Sequence, residues 1–467
     1  MTRYAEFLER KTQLEGGHGF EPEWMPDFLF DFQQSLVTWA IRQGRAAIFA
    51  DCGLGKTPMQ LVWADNVVRH TGRPVLIVTP LAVSFQTEGE AHKFGIDAAV
   101  SRDGTLPAPI VITNYERLHL FDRDKLGGLV CDESSAIKSF DGVRRQLVTD
   151  FMRKMRYRLL CTATAAPNDY IELGTSSEAL GYLGHMDMLA RFFTNKERSA
   201  KIRRPGRWNT QRDVDGFLMT DGWRFKGHAE EWFWRWVASW ARAMRKPSDL
   251  GYPDTGFNLP PLNVRQHIVQ AKVGREDTLF DLPALGLREE REESRRTVIE
   301  RCELAADLIA DAPSAVAWCQ LNTEGDTLTR LIDGAVQISG SDTADRKEDA
   351  LIAFSKGDIR VLVTKPVIGA WGLNWQHCNR MTFFPSHSYE QYYQAVRRSW
   401  RFGQKHPVTV DLVSTEGGSN ALRNLRRKSD QADRMFESLV AHMLEAIDIA
   451  RANHFHTPTE VPAWATC

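Results

Sequence analysis

The sequence predicts an α/β protein with two tandem parallel-sheet lobes, and three observations carry that reading. Short β-rich runs alternate with polar or amphipathic stretches through residues 46–164. The same alternation returns through residues 314–414. Between the two, residues 181–261 are rich in Trp, Arg, Gly and Pro and show no clear strand alternation.

In the first lobe the expected strands are AAIFAD, VLIVTP, PIVITNY, GLVCDE and YRLLCTAT. Runs of this kind between helical stretches form a parallel sheet covered on both faces. In the second lobe they are AVAWCQ, AVQIS, IRVLVT, RMTFF and VTVDLV. LPPL at residues 259–262 reads as a linker, and LREEREESRR at 287–296 as a solvated helix entering the second lobe. After Ser414 the pattern turns helical. The expected division is a first lobe over 1–180, a helical Trp-rich insertion over 181–261, and a linker with entry helix over 262–313. The second lobe then spans 314–418, and a helical extension 419–467.

The 467 residues allow two to four domains, each with its own core. Hydrophobic residues make up 43% and charged residues 25%, ordinary for a globular protein. The formal net charge is −1. That total neither supports nor excludes a nucleic-acid partner, because a local basic track suffices. The seven cysteines are odd in number and none has C-x-x-C spacing, which argues against a disulfide framework or structural zinc. The start of the chain is charged from Arg3 onward and has no apolar signal core, and no apolar run approaches bilayer length. The expectation is a cytoplasmic protein with no membrane partner.

ADCGLGKT at residues 50–57 is the strongest local signal. A strand should end at Ala50 and a helix begin near Lys56. Gly53 and Gly55 let backbone N–H groups turn toward a phosphate chain, and the helix N-terminus adds its positive dipole. Lys56 can reach the β- and γ-phosphates of ATP, and the Thr57 hydroxyl can ligate Mg2+. A second element, VCDESS, puts Asp132 and Glu133 at the end of an apolar strand, the edge of a parallel sheet where ligands bind. Asp132 would hold Mg2+ and Glu133 would orient and polarise the attacking water. Alone the pair would be read as a surface turn; following a phosphate loop it becomes specific. The third element, QAVRRSWRFGQ at 394–404, sets Arg398 and Arg401 three residues apart on one helical face. Two placed guanidinium groups could stabilise charge on a transferred phosphoryl group, although a basic solvated face is the alternative.

Taken in order, these segments resemble superfamily 2 helicases and translocases, specifically the branch of the Swi/Snf remodellers with small phage or bacterial members. FDFQQSLVTW resembles the family's adenine-reading motif, with Gln33 at the matching place. ADCGLGKT has the family's A-x-x-G-x-G-K-T form, which accounts for Ala50. VTPLAV and ITNYERL match loops that touch the nucleic-acid backbone. DESSAIKS matches the Asp-Glu box, and CTATAAPNDYIEL the coupling motif. TKPVIGAWGLNWQ resembles the second-lobe motif through Gly369, Gly372, Leu373 and Asn374. QAVRRSWRFGQ matches Q-x-x-x-R-x-x-R-x-G-Q through Gln394, Arg398, Arg401, Gly403 and Gln404. The likeness spans residues 27–414. Ser134-Ser135 departs from the pair that usually follows Asp-Glu and links the nucleotide to the coupling motif.

The resemblance implies two RecA-like lobes with ATP and Mg2+ between them. Lys56, Asp132, Glu133, Gln394, Arg398 and Arg401 would be catalytic. Gln33, Gly53, Gly55, Lys56, Thr57 and Gly372 would bind nucleotide, and Thr57 and Asp132 the metal. It further implies an ATP-dependent motor on nucleic acid, double-stranded DNA above all, that translocates and in one form unwinds. The alternatives are a double-stranded DNA translocase that leaves strands paired, and a nucleotide-dependent binding module. Trp232, Trp236 and Trp240 recur at four-residue spacing; they could stack on bases but are expected to pack a helix on its domain. Arg203, Arg204, Arg207 and Arg212 suit either a phosphate track or a solvated loop. His377-Cys378 and His454 to His456 lack ligand spacing for a metal.

Overall fold

The computed structural model describes residues 18–80, 83–137, 143–166, 170–195, 223–270, 287–369 and 374–452. Two all-parallel sheets organise them.

The first lobe opens with helix α1 (Asp31–Gln43), then β1 (Arg45–Ala50) and α2 (Lys56–Thr71). There follow β2 (Val75–Thr79), α3 (Ser84–Lys93), β3 (Ala98–Val100), β4 (Ile110–Asn114) and β5 (Gly128–Asp132). Next come α4 (Val143–Met152), β6 (Tyr157–Thr162), α5 (Leu173–Leu180) and α6 (His185–Phe192). A short antiparallel pair, β7 (Phe193–Asn195) with β8 (Trp223–Phe225), precedes α7 (Ala229–Trp240) and β9 (Ala241–Met244). The seven-stranded sheet has the order β3-β4-β2-β5-β6-β1-β9. Strands β2 and β6 are buried at every residue, as continuous apolar runs covered on both faces must be. Alternate residues serve opposite faces: Ala47 and Phe49 join one apolar cluster, Ala46, Ile48 and Ala50 the other.

In the second lobe, β10 (Leu262–Val269), α8 (Leu287–Arg296), α9 (Val298–Leu308) and β11 (Ala315–Trp318) lead into α10 (Asn322–Leu331) and β12 (Ala335–Ile338). They continue through α11 (Ala344–Lys356), β13 (Val361–Thr364), β14 (Arg380–Phe383), α12 (Tyr389–Ser399), β15 (Val408–Thr415) and the long α13 (Ser419–Ala452). The six-stranded sheet runs β10-β15-β14-β11-β13-β12. Ser388 caps α12, its hydroxyl accepting from the Gln391 N–H, which fixes where the arginine-bearing helix starts.

The tandem α/β architecture and the ten expected strands are present. Five described strands went unforeseen: β3, β9 and β10 of the two parallel sheets, and the antiparallel pair β7 and β8. Within the Trp-rich segment, β9 adds an edge strand parallel to β1. The expected linker runs straight into β10, parallel to β15. ARAM and AAV are too short to show a period, and β10 is largely exposed, so its sequence is polar.

Helix α7 packs on the first lobe, as expected of its tryptophans, but not by the expected stripe. Phe233, Trp236, Val237 and Trp240 are buried, whereas Trp232 is 63% exposed and lies under the Arg235 guanidinium. Residues 233, 236, 237 and 240 share one face with 232 at its margin, and Trp234, on another side of the helix, is also buried, against Tyr170. The charge run α8 also turns one acid inward: Glu293 is buried and paired with Arg296 at 2.7 Å. Among the described residues beyond Ser414, the helix α13 crosses between lobes. Leu422 and Leu425 join the second lobe's core, while Met435, Phe436 and Leu439 join the first lobe's. Among the described residues, no helix is long and apolar enough to cross a membrane. The arginines at 203, 204, 207 and 212, and His454 to His456, lie outside the described residues.

Candidate functional site

The loop between β1 and α2 turns through two glycines in the left-handed region, Gly53 at φ 90° and Gly55 at φ 74°. Side chains would not fit at either place. A Cβ on Gly53 would come within 2.6 Å of the Phe402 ring, and one on Gly55 within 2.2 Å of the Gln33 amide nitrogen. The loop thus ends with its last glycine directly before α2, whose first N–H groups have no intrahelical acceptor. Ala50, in the position where such loops usually carry glycine, closes β1 fully buried. Lys56 folds back over the loop, its Nζ donating to the Ala50 carbonyl at 2.9 Å and to the Asp51 carbonyl at 3.3 Å.

Two strands away, β5 delivers Asp132 and Glu133. Gln60, one turn into α2, donates to Asp132 Oδ1 at 2.7 Å, and the Tyr115 hydroxyl donates to the Asp132 carbonyl at 2.7 Å. Burial pushes the Asp132 carboxyl up to about 6, with the neighbouring Glu133 adding to the rise and Gln60 and Lys56 opposing it. Glu133 is held at φ 52°, the only non-glycine residue with positive φ among those described. A bulky residue there is strained, and such strain concentrates at functional sites. Its Oε1 accepts from Thr162 at 2.5 Å and Ser135 at 3.0 Å. Thr162 Oγ1 in turn accepts from the Thr164 N–H at 3.0 Å. Ser135 and Thr162 thus meet on one carboxylate oxygen and tie Glu133 to the end of β6.

From the second lobe, α12 and the turn after it bring in Arg398 and Arg401. One cleft is lined by Gly53, Gly55, Lys56, Thr57, Asp132 and Glu133 from the first lobe and by Asn374, Arg398 and Arg401 from the second. Burial lowers the Arg398 guanidinium, with Cys52, Glu133 and Asp132 opposing that shift. Arg401 is pushed down to about 10, by burial first and then by Arg398. Both remain cationic near neutral pH. Two expected residues stand behind the lining. Gln394 supplies its carbonyl to Arg398 Nε at 3.3 Å and its Oε1 to the same guanidinium at 3.1 Å, so it orients Arg398. Gln33 accepts from the Phe30 N–H at 3.0 Å and donates to the Leu54 carbonyl at 2.9 Å, so it braces the phosphate loop against α1. Gly372 lies outside the described residues. Asn374, which accepts from Arg401, was read as part of the second-lobe motif but given no role; Gln60 was not singled out, since a glutamine in a helix is not distinctive in a lone sequence.

The donor set suits a hard divalent cation. Thr57 and Asp132 offer oxygen ligands, and two adjacent half-buried carboxylates would lose their mutual repulsion on binding one.

Fold and cleft together define a protein of two tandem RecA-like lobes with a composite site between them. The tandem two-lobe fold has a counterpart among solved structures. Yeast (S. cerevisiae) Dbp5 bound to RNA and ADP BeF3 is similar over 88% of this chain and 93% of its own, at a TM-score of 0.51 and 13% identity. The Sulfolobus solfataricus SWI2/SNF2 ATPase core in complex with dsDNA aligns over 92% of this chain and 98% of its own, at a TM-score of 0.41 and 16% identity. No protein-family model and no curated protein matches the chain.

Proposed function

We propose that this protein is an ATP hydrolase that couples lobe closure to movement along nucleic acid, with double-stranded DNA as its track. One observation carries the reading: Arg398 and Arg401 line the same cleft as Lys56, Asp132 and Glu133 although they lie more than 260 residues further along the sequence. A fold serving only as a scaffold has no need of that convergence. The DNA part rests on the remodeller-like run at 401–404 and on the loops VTPLAV and ITNYERL.

In this mechanism ATP lays its phosphates along the loop, where the first N–H groups of α2 receive them. Lys56 leaves the Ala50 and Asp51 carbonyls for the β- and γ-phosphates. A magnesium ion held by Thr57 and Asp132 would neutralise phosphate charge. Glu133, fixed by Thr162 and Ser135, orients a water and accepts its proton as the water oxygen attacks the γ-phosphorus. The bond to the bridging oxygen breaks, leaving ADP and inorganic phosphate. Arg398 and Arg401 stabilise the charge on the passing phosphoryl group, so turnover requires the lobes to be together. Loss of γ-phosphate removes their ligand and releases the grip.

The test is steady-state ATPase without nucleic acid and with duplex DNA, single-stranded DNA or RNA, beside triplex-displacement and strand-displacement assays. Stimulation by duplex DNA with triplex but not strand displacement is expected. Affinity should fall steeply with salt, because phosphate contacts release counterions. Stimulation by RNA alone would redirect the reading to an RNA motor, and an ATPase indifferent to every nucleic acid would overturn it.

A further inference from the structure

The phosphate loop makes a second contact with the other lobe, one that neither grips nucleotide nor lies among the lining arginines. Asp51, between Ala50 and Cys52, is 2% exposed. Its Oδ1 accepts from the Cys52 N–H at 2.6 Å and from the Tyr393 hydroxyl, and its Oδ2 is paired with Arg397. Tyr393 and Arg397 belong to the second lobe and lie four residues apart on α12, so they share a face. Arg397 is itself buried, stacked 4.2 Å from the Trp400 ring centroid, and its NH1 donates to the Trp400 carbonyl at 3.1 Å. Helix α12 and its following turn therefore carry arginines with two destinations: Arg398 and Arg401 enter the cleft, and Arg397 holds the loop. Burial pushes the Tyr393 phenol well above its ordinary value, so it stays a donor.

The place of the contact gives it consequence. Lys56 donates to the carbonyl of Asp51, the same residue whose carboxylate the second lobe holds. The Asp51 N–H is fixed to the Met244 carbonyl of β9 at 3.0 Å, so the residue is anchored from both lobes. A buried Arg–carboxylate pair is worth little against an apolar replacement of both partners. Breaking one partner leaves an uncompensated buried charge and is strongly destabilising.

We propose that Asp51, Arg397 and Tyr393 form an interlobe latch that docks α12 on the phosphate loop and positions Arg398 and Arg401 over the γ-phosphate. This rests on the ATPase reading above. Asp51 and Arg397 are positioning residues, since they touch the loop and not the reacting atoms. The latch sets how completely the lobes close, whereas Lys56 and the lining arginines act on the phosphate itself.

A double-mutant cycle tests the latch in the full chain. Asp51→Asn, Arg397→Met and the combined variant are compared for ATPase kcat and KM, and for hydrogen–deuterium exchange of the amides at 51–57. Each single variant should lower kcat about tenfold or more, with KM for ATP changed about twofold at most. Exchange at the loop should rise in both. The combined variant leaves no lone buried charge and should recover to within about threefold of wild type. Arg397→Lys keeps the charge but loses the planar stack, and should fall between wild type and Arg397→Met. It also serves if either single variant fails to fold. Strictly additive losses in the combined variant, or unchanged loop exchange in folded single variants, would overturn the latch. A wild-type chain that hydrolyses no ATP would sink the functional reading, while the exchange data would still decide whether the latch exists.

Discussion

The two lobes contribute to one cleft by different physical means. The first builds its half from backbone: a loop turning through Gly53 and Gly55, the open N-terminus of α2, and carboxylates at the end of β5. The second builds its half from long side chains on α12 and the turn after it, held by Gln394 from behind and by Asn374 within the cleft. Backbone groups are rigid and suit a ground state whose shape does not change. Guanidinium groups carried on a separate body can be present or absent as the lobes close, which suits charge that develops only in the transition state. The first lobe should therefore govern binding and supply the base, and the second should act on turnover alone.

The largest test of that division is Lys56→Ala. Lys56 is the one positively charged side chain in the loop at 50–57, so hydrolysis should fall to background in a phosphate-release assay. Turnover near wild type would show that the loop does not hold the phosphates. Glu133→Gln comes next. The amide keeps the bonds from Thr162 and Ser135 but cannot take a proton, so kcat should drop about 10²–10⁴-fold. Equilibrium binding of a slowly hydrolysed ATP analogue should stay near wild type. Weakened binding in step with kcat would move Glu133 from turnover to binding and blur the contrast between lobes.

Asp132 gives a pH test. Its carboxyl is pushed up to about 6 from the ordinary 3.8 by burial, so the folded state holds the proton more tightly than the unfolded chain. Between about pH 4 and pH 6 this group makes stability fall as pH rises, and above that the nucleotide-free cleft carries the full cost. A divalent cation binds the ionised form. Magnesium should therefore raise the Tm more at about pH 7.5 than at about pH 5. An equal shift at both would separate the metal from Asp132. The smallest effect is expected of Gln394→Ala, which frees Arg398 without removing it. A loss in kcat of about tenfold, with ATP affinity unchanged, would sharpen the assignment of Gln394 as a support. A loss in affinity alone would place it on the binding side.

Much of this was legible because the strands that carry chemistry are also the most buried. β1, β2, β5 and β6 read as apolar runs, and the loops at their ends carried distinctive residues. The edges were not legible. β9 is a four-residue strand inside a segment dominated by tryptophan, and β10 is too exposed to look like one. The helical nature of the C-terminal extension could be read, but not that α13 passes from the second lobe's core to the first's, since periodicity gives a face and not its partner. Within the site, the lining residues were visible by type and order. Gln33 and Gln394 were expected at the nucleotide; in the fold they contact the loop and Arg398 and are not among the residues that line the cleft. Asp51 and Arg397 were passed over because an Asp in a loop and a third arginine on a basic helix are unremarkable until the fold brings them together.

Single-turnover hydrolysis by Arg398→Ala and Arg401→Ala, beside Lys56→Ala, tests the composite site most directly. Each arginine variant should bind ATP nearly as wild type and lose about 10³-fold or more in the hydrolysis step, because lobe two acts on the transition state alone. Normal rates in both arginine variants with Lys56→Ala inactive would contradict a site shared between the lobes.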